Sequence, residues 1–372
     1  MVKAMYKFLF PLLLSLPFGS VYAADAASEC VTDLDAIAKY LPANDTGAAA
    51  ELDHHGKAIE EAFRKAQGEA AKAADLAACE TVLKGYLRAW RPGHLTVSTE
   101  GNSPFGAGPA AQDKAQADAR APVFKVLDKD TILFAFGTFD PRYKGAVEAL
   151  ISGHRAELET HKNWIIDVRK NNGGSDSTYT PLLPWLLDGE YVLHRIEWLA
   201  TPDNAIGHTA VCELLGDTES CPKHMEPVVR AVQGGKPGTY VMSSDERITY
   251  IRQEKLETHQ PARVAVLVDN ECGSSCEQFL LAVRGSFKVK LVGRPTYGSL
   301  DYSNMRPHKL PSGKRTLMYA TSRSLRLPLM PIDQIGVQPD VLLLPKPVDD
   351  AAHDAEVRQV QRWLAGGTLR PQ

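Results

Sequence analysis

The sequence lacks a strong charge of either sign. Its 372 residues carry 42 lysines and arginines against 45 aspartates and glutamates, a formal net charge of −3 at pH 7. This balance gives no basic surface field for nucleic acid and no polybasic patch for a membrane surface. With 44% hydrophobic and 23% charged residues, the composition is that of an ordinary globular protein. We therefore expect a folded protein with an ample core and no nucleic-acid partner.

The sequence also lacks an apolar run long enough to cross a bilayer. The N-terminal run FLFPLLLSL (8–16) is short and is interrupted by Pro11. Lysines precede it, and the small-residue stretch Val21–Ala23 follows it. This order is typical of a secretory signal peptide. We expect residues 1–23 to be removed and the mature protein to be periplasmic or secreted, with no membrane span.

No pattern typical of a metal or phosphate site is present. No histidine lies at ligand spacing from a close cysteine pair, and the adjacent His54 and His55 stand near a predicted helix start, where histidines are commonly solvated. The Gly173–Gly174 tract belongs to neither a G-x-G-x-x-G nor a Lys-Ser/Thr phosphate-binding pattern. We therefore expect no metal and no cofactor.

Cysteine is scarce, and all six cysteines follow the predicted signal peptide. An even count in an oxidising compartment favours disulfides, although the sequence alone permits many pairings. The expected pairs are Cys30–Cys79, Cys212–Cys221 and Cys272–Cys276. The last pair would clamp the turn that contains Ser274.

Short apolar strands alternate with helices from residue 122 onward. Predicted strands cover 131–139, 163–168, 263–269 and 288–293. This alternation indicates an α/β layer structure. The expected organisation is a signal peptide (1–23), a helical N-terminal domain (24–100), a linker (101–121), an α/β core (122–348) and a C-terminal helix and tail (349–372).

A serine stands at the corner between a buried strand and a helix. The strand RVAVLVD (263–269) leads into a turn containing Gly273, and a helix is predicted over 275–283. Ser274 in that turn would expose its hydroxyl beside free backbone N–H groups and the positive helix end. Such surroundings favour a nucleophile and the oxyanion it creates. A simple helix-capping role for Ser274 or Ser275 fits the same pattern.

A second corner carries the adjacent Gly173 and Gly174, after the strand 163–168. Because glycine has no side chain, its N–H can approach a ligand closely. The N–H of Gly173 or Gly174, together with that of Ser275, would form an oxyanion hole. A plain strand-to-helix turn is the alternative interpretation.

Four motifs occur in the order and spacing of a known family. They are DVRKNNGG (167–174), GSSCE (273–277), GRPTYG (293–298) and IGVQPD (335–340). Over roughly residues 80–345 the sequence resembles the carboxy-terminal processing peptidase and tricorn core family of serine peptidases. The resemblance implies a crotonase/Clp-protease-like α/β core with a small helical N-terminal domain, and cleavage of a peptide or protein substrate. Its S-x-x-E pattern maps the nucleophile to Ser274.

The sequence departs from this family in informative ways. Processing peptidases carry a general-base lysine where this chain has Ser299, which excludes a Ser–Lys dyad, and the peptide-binding PDZ insert is missing. Catalytic tricorn-like members use a histidine, which maps to His94 in GHLT (93–96). The resemblance therefore implies that His94 is the general base, since an imidazole has a suitable pKa near neutral pH. A histidine that merely ends a helix is the alternative, and the serine that precedes the histidine in tricorn-type sites is Gly93 here.

An acidic side chain is expected to orient the histidine. The resemblance places it at Asp333, with Asp301 and Glu277 as rivals. Tyr302 follows the position of the missing lysine, where it would line the site or belong to a surface loop.

These residues support two functions. The first is an exported serine peptidase in which Ser274, His94 and Asp333 are catalytic, while Gly173, Gly174, Ser275 and Tyr302 bind the oxyanion and substrate. The second is a non-catalytic peptide-binding relative that kept the groove and lost the chemistry with the lysine. An α/β-hydrolase esterase is disfavoured because the G-x-S-x-G pattern is absent. The sequence does not define the oligomeric state.

Overall fold

The computed structural model describes residues 19–99, 119–214, 219–244, 249–253, 259–344 and 350–368. Most of the predicted signal peptide (1–23) and of the predicted linker (101–121) lies outside these ranges. The first helix begins at Gly19 and includes the predicted cleavage site. Within the described ranges, no helix combines the length and the apolar character needed to cross a membrane.

The helices, in chain order, are α1 (Gly19–Asn44), α2 (Ala48–Ala70), α3 (Leu76–Trp90), α4 (Lys144–Gly153), α5 (Arg155–Thr160), α6 (Asp176–Tyr179), α7 (Leu183–Leu186), α8 (Pro202–Leu214), α9 (Ser220–Gly234), α10 (Ser275–Val283) and α11 (Asp350–Leu364). Short 3₁₀ helices cover Pro141–Tyr143 and Thr180–Leu182. The strands are β1 (Leu95–Thr99), β2 (Val123–Val126), β3 (Thr131–Ala135), β4 (Asn163–Asp167), β5 (Glu190–His194), β6 (Ile196–Leu199), β7 (Tyr240–Val241), β8 (Thr249–Gln253), β9 (Arg263–Val268), β10 (Val289–Gly293), β11 (Tyr302–Lys309), β12 (Arg315–Ser324) and β13 (Val341–Leu342).

A six-stranded sheet lies at the centre of the core. Its strand order is β13–β10–β9–β4–β3–β2, and all neighbours are parallel except β2 and β3. Both faces of β4 and β9 are covered, which explains why their sequences are near-continuous apolar runs. Because β4 and β9 are parallel neighbours, the segments that follow them, with Gly173–Gly174 and Ser274, leave the sheet at the same edge.

Helices cover both faces of this sheet. Phe279 and Leu280 of α10 pack with Ile166 and Val266 on one face. On the other face, Val360 and Leu364 of α11 pack in a second cluster with Ile165 and Leu267. These strand residues alternate with those that face α10. The predicted α/β class is thereby confirmed.

A second, antiparallel sheet connects the core to the N-terminal helices. Strand β12 pairs with β1, β11 and β6, and β6 pairs with β7. Residues Leu317 and Tyr319 of β12 pack in one apolar cluster with Leu34, Leu83 and Leu87 of α1 and α3. The N-terminal helical region is therefore present, and it rests on this sheet.

Cysteines are bonded as the sequence predicts. The pairs are Cys30–Cys79, Cys212–Cys221 and Cys272–Cys276. The first joins α1 to α3, the second joins α8 to α9, and the third encloses Ser274.

A buried ion pair fastens α1 to the start of β12. Arg315 Nη1 donates to Asp33 Oδ2 at 2.8 Å, and both side chains are 0% exposed. The Ser312 N–H and hydroxyl also donate to the Asp33 carboxylate, at 3.0 and 2.8 Å. A neighbouring pair, Lys314 with Glu29, joins the same two elements at the surface.

We predict that Asp33→Ala lowers the free energy of unfolding by about 3–5 kcal/mol, because it leaves the Arg315 charge buried without a counter-ion. Glu29→Ala removes an exposed pair between the same elements and should cost at most about 1 kcal/mol. Urea denaturation of the two variants measures the difference. Equal losses would contradict a special role for the buried pair.

Candidate active site

Ser274 lies at a sharp turn between β9 and α10. Its φ of 58° and ψ of −124° are values that residues other than glycine rarely adopt. Such a conformation costs of order 1–3 kcal/mol and persists only where neighbouring contacts impose it. Ser274 is partly exposed, whereas the residues on either side of it are buried. The strained turn thus presents this one side chain at the edge of the sheet.

The buried carboxylate of Glu277 holds the turn. Its Oε2 accepts hydrogen bonds from the N–H of Ser274 at 3.1 Å and of Ser299 at 2.9 Å. Its Oε1 accepts from the Gly298 N–H at 2.7 Å and from the Thr296 hydroxyl at 2.5 Å. Burial raises the pKa of Glu277, and these four hydrogen bonds oppose the rise. Glu277 therefore ties Ser274 to the segment 296–299.

The Cys272–Cys276 disulfide encloses the same turn. Inside it, the Cys276 N–H donates to the Gly273 carbonyl at 3.1 Å. Two further bonds join the turn to neighbouring segments: the Gly273 N–H donates to the Asn171 carbonyl, and the Tyr297 N–H donates to the Cys272 carbonyl. The cross-link and these backbone bonds leave the chain around Ser274 little freedom to relax.

The His94 side chain contacts the Ser274 hydroxyl. His94 lies between α3 and β1 with a φ of 52°, and its Nε2 is 3.0 Å from Ser274 Oγ. Its Nδ1 is 2.6 Å from the Tyr302 carbonyl oxygen. Because a carbonyl only accepts, Nδ1 carries the proton and Nε2 is free to accept from the serine hydroxyl. This tautomer is the one that a general base requires.

The protonation state of His94 follows from its surroundings. Burial lowers the pKa of His94 to about 4, the hydrogen bond to Tyr302 opposes this change, and the positive charge of Arg91 adds to it. The imidazole is therefore neutral at pH 7.

The backbone around His94 is held by a buried ion pair. Arg91 binds Asp45 through two hydrogen bonds of 2.6 and 2.5 Å, and the side chains are 2% and 1% exposed. The same guanidinium donates to the Gly93 carbonyl at 3.0 Å and to the His94 carbonyl at 3.4 Å. The Asp45 carboxylate also accepts from the N–H of Ala320 in β12 at 3.2 Å. The position of His94 is thus coupled to both α1 and the antiparallel sheet.

The Asp333 carboxylate bonds to backbone amides rather than to the imidazole, contrary to the expectation from the sequence. Its Oδ1 accepts from the N–H of Leu300 at 2.5 Å and of Asp301 at 2.6 Å. Asp301 Oδ2 in turn accepts from the N–H of Ile332 and of Asp333. Burial raises the pKa of Asp333 to about 7, and the charge of Asp301 adds to the rise. The two aspartates fix the backbone that leads to the Tyr302 carbonyl, which is the group that His94 Nδ1 contacts.

The two glycines after β4 stand beside the serine. A Cβ on Gly173 would lie 2.7 Å from Ser274 Cβ, and one on Gly174 would lie 2.3 Å from the Phe139 carbonyl. Both positions therefore require glycine, and both have positive φ, 99° and 144°. The Gly173 N–H donates to Asn171 Oδ1 at 2.9 Å. Among the hydrogen bonds of the described residues, none uses the N–H of Gly174 or of Ser275.

Ser299, at the position of the family lysine, is buried against Gly93 and Gly273, the residues that precede His94 and Ser274. A Cβ on Gly93 would come within 2.5 Å of Ser299 Cβ. A serine at position 93, as in tricorn-type sites, would therefore clash with Ser299. The Tyr302 ring lies under the Arg91 guanidinium, with 5.4 Å between Arg91 Cζ and the ring centre, and the Tyr302 carbonyl contacts His94 Nδ1.

The model of peptidase family S41 matches residues 136–343, more than half of the 372 residues. The chain belongs to peptidase family S41.

Several solved structures resemble this S41 chain at low sequence identity. Mature CPAF has a TM-score of 0.61 at 13% identity, with 93% of this chain and 100% of that chain covered. A putative peptidase from Parabacteroides merdae ATCC 43184 has a TM-score of 0.53 at 14% identity, with 90% and 96% covered. A lipoprotein from Streptococcus agalactiae has a TM-score of 0.50 at 13% identity, with 97% and 99% covered. These likenesses establish a shared fold. A search among curated proteins found no match.

A cavity of about 310 Å³ lies at His94. It is lined by Lys84, Arg88, Pro92, His94, Leu95, Thr96, Tyr297 and Met305. In the part of the chain that the structure describes, no group of three or more His, Cys, Asp or Glu side chains is placed to hold a metal ion.

We predict that removing the Cys272–Cys276 disulfide by a double change to alanine slows the reaction of Ser274 with a fluorophosphonate at least about tenfold, because the strained turn can then relax. The Cys212→Ala/Cys221→Ala variant also removes a disulfide with a short sequence separation, 9 residues, and should react at the wild-type rate. Both rates are measured on protein shown to be folded by circular dichroism. Equal rates in the two variants would contradict a role for the enclosing disulfide.

Proposed function

We propose that the protein is an exported serine peptidase that uses Ser274 as nucleophile and His94 as general base. The observation that carries the proposal is the 3.0 Å contact between His94 Nε2 and Ser274 Oγ, in an imidazole whose other nitrogen is fixed by a carbonyl. Membership of family S41 supports peptide-bond hydrolysis as the reaction. The three disulfides favour an oxidising compartment, in agreement with the expected signal peptide.

The reaction begins when Ser274 Oγ attacks the scissile carbonyl carbon. His94 Nε2 takes the hydroxyl proton and returns it to the leaving amine. A water molecule then attacks the acyl carbon while His94 Nε2 takes its proton. The bond from the acyl carbon to Ser274 Oγ breaks, protonated His94 returns the proton to Oγ, and the carboxylic acid product leaves. The Tyr302 carbonyl fills the orienting role that the sequence assigned to Asp333, since it keeps the Nδ1 proton in place.

The oxyanion of the intermediate needs backbone donors beside the serine. The N–H of Ser275 and of Gly174 are our candidates, because both lie next to Ser274 in the fold and neither is used by another described acceptor. Gly173 has a different role. Because it lacks a side chain, the segment after β4 can approach Ser274 closely, and its N–H donates to Asn171 Oδ1.

We predict that Ser274→Ala abolishes fluorophosphonate labelling and lowers kcat for peptide hydrolysis by about 10⁴-fold or more, the scale for loss of a serine nucleophile. His94→Ala should cost a similar factor. Ser152→Ala, at an exposed position on α4, is the control and should keep full activity. A wild-type protein that binds peptides but neither cleaves them nor becomes labelled would instead establish the non-catalytic binding function.

We predict that the acid limb of kcat/KM lies near pH 4 rather than near the ordinary histidine value of about 6.5. The sign follows from the lowered pKa of His94: the neutral imidazole persists below pH 6.5, and activity is lost only as the pH falls through the folded-state pKa. A pH profile of kcat/KM with circular dichroism at each pH separates titration from acid unfolding. A midpoint near 6.5 in folded protein would contradict the buried, neutral base.

A further inference from the structure

The lining of the cavity beside His94 includes both apolar and cationic side chains. Leu95, Tyr297 and Met305 supply apolar and aromatic surface. Lys84 and Arg88 lie four residues apart on α3, so they share one face of that helix, and both line the cavity.

The cationic side chains carry an unbalanced positive charge. Lys84 Nζ binds Glu80 Oε1 at 2.6 Å, so its charge is largely offset. Arg88 is exposed, and no ion pair of the described residues includes it. Arg91, three positions further on, is buried and neutralised by Asp45. Arg88 is thus the cation available to a bound molecule in this cavity.

The walls of the cavity are connected to the catalytic pair. The Tyr297 hydroxyl donates to the Pro92 carbonyl at 2.9 Å, which joins the segment 296–299 to the turn that carries His94. That segment is bonded through Glu277 to the Ser274 turn. A peptide bound for attack by Ser274 therefore lies next to a cavity whose free charge is positive.

We propose that this cavity is a substrate subsite for a carboxylate close to the scissile bond, with Arg88 as its principal cation and Lys84 as its second. The inference rests on the proposed peptidase function. The planar guanidinium of arginine can donate two parallel hydrogen bonds to a carboxylate, and the apolar side chains of the lining accommodate the adjoining hydrocarbon part of the substrate. The carboxylate comes from an acidic side chain or from a free carboxyl terminus, and these two sources share the same chemistry.

The test uses four peptides of one sequence, with Glu or Gln next to the scissile bond and with a free or amidated carboxyl terminus. We expect the wild type to favour a carboxylate-bearing peptide by about fivefold in kcat/KM, the scale for a solvent-accessible ion pair, and to lose the preference at high salt. Dependence on Glu against Gln identifies a side-chain carboxylate. Dependence on acid against amide identifies a carboxyl terminus.

The variants assign the preference to one residue. Arg88→Glu should remove or reverse the preference for a carboxylate, mainly through KM. Arg88→Lys should keep a smaller preference, because lysine retains the positive charge but cannot donate two parallel hydrogen bonds. Arg64→Glu is the matched control: Arg64 is an exposed arginine on α2, with a side chain that is 64% exposed, and its reversal should leave the preference unchanged.

Failure of this inference is distinct from failure of the proposed function. Wild-type cleavage of all four peptides at equal kcat/KM, or a preference that survives Arg88→Glu, overturns the carboxylate subsite and leaves the peptidase intact. Absence of both cleavage and labelling overturns the peptidase. In that event, the four peptides are labelled with a fluorophore, and their affinities for the wild type and for Arg88→Glu are measured. If the two proteins bind each peptide equally well, the subsite is overturned as well.

Discussion

The geometry of the site depends on the buried ion pair between Asp45 and Arg91. Its bidentate bonds place a guanidinium where it also holds the carbonyls of Gly93 and His94. Removing one member of such a pair leaves an uncompensated buried charge, which is strongly destabilising. Because Asp45 also accepts from Ala320 of β12, the helical region, the antiparallel sheet and the imidazole form one connected unit. The histidine is therefore positioned by tertiary structure rather than by its own helix or strand.

The serine side of the site has an equivalent support. Glu277 gathers the N–H of Ser274 and of Ser299 on one carboxylate oxygen, and the Cys272–Cys276 disulfide closes the turn. The disulfide is local in sequence and Glu277 reaches only as far as Ser299, 22 positions on, whereas the members of the Asp45–Arg91 pair are 46 positions apart. A strained φ at Ser274 and another at His94 face each other across the contact. Strain of this kind persists at functional sites because the surroundings over-determine it.

The sequence predicts what local pattern and motifs encode. The buried strands β4 and β9 are continuous apolar runs, and the motif spacing leads to Ser274, His94 and the glycine pair. The antiparallel sheet was harder to anticipate, because β11 (YSNMRPHK) has no apolar alternation. The orienting group of the histidine was missed for another reason: a backbone carbonyl such as that of Tyr302 has no residue-type signal. Asp333 has the expected chemistry and lies nearby, yet its carboxylate is used by the amides of Leu300 and Asp301.

Two departures from the family pattern, Gly93 and Ser299, lie in contact with each other. Ser299 replaces the lysine, and its Cβ occupies the space that a side chain at position 93 would need. A side chain at position 93 would therefore clash with Ser299, and the Gly93 carbonyl is bonded to Arg91. The absence of the lysine does not remove the base of the proposed mechanism, because that base is His94. The proposed base lies one residue after Gly93, and the Tyr302 carbonyl, three residues after Ser299, fixes its tautomer. In the proposed mechanism, the segment that holds the position of the family lysine thus supplies the carbonyl that orients His94.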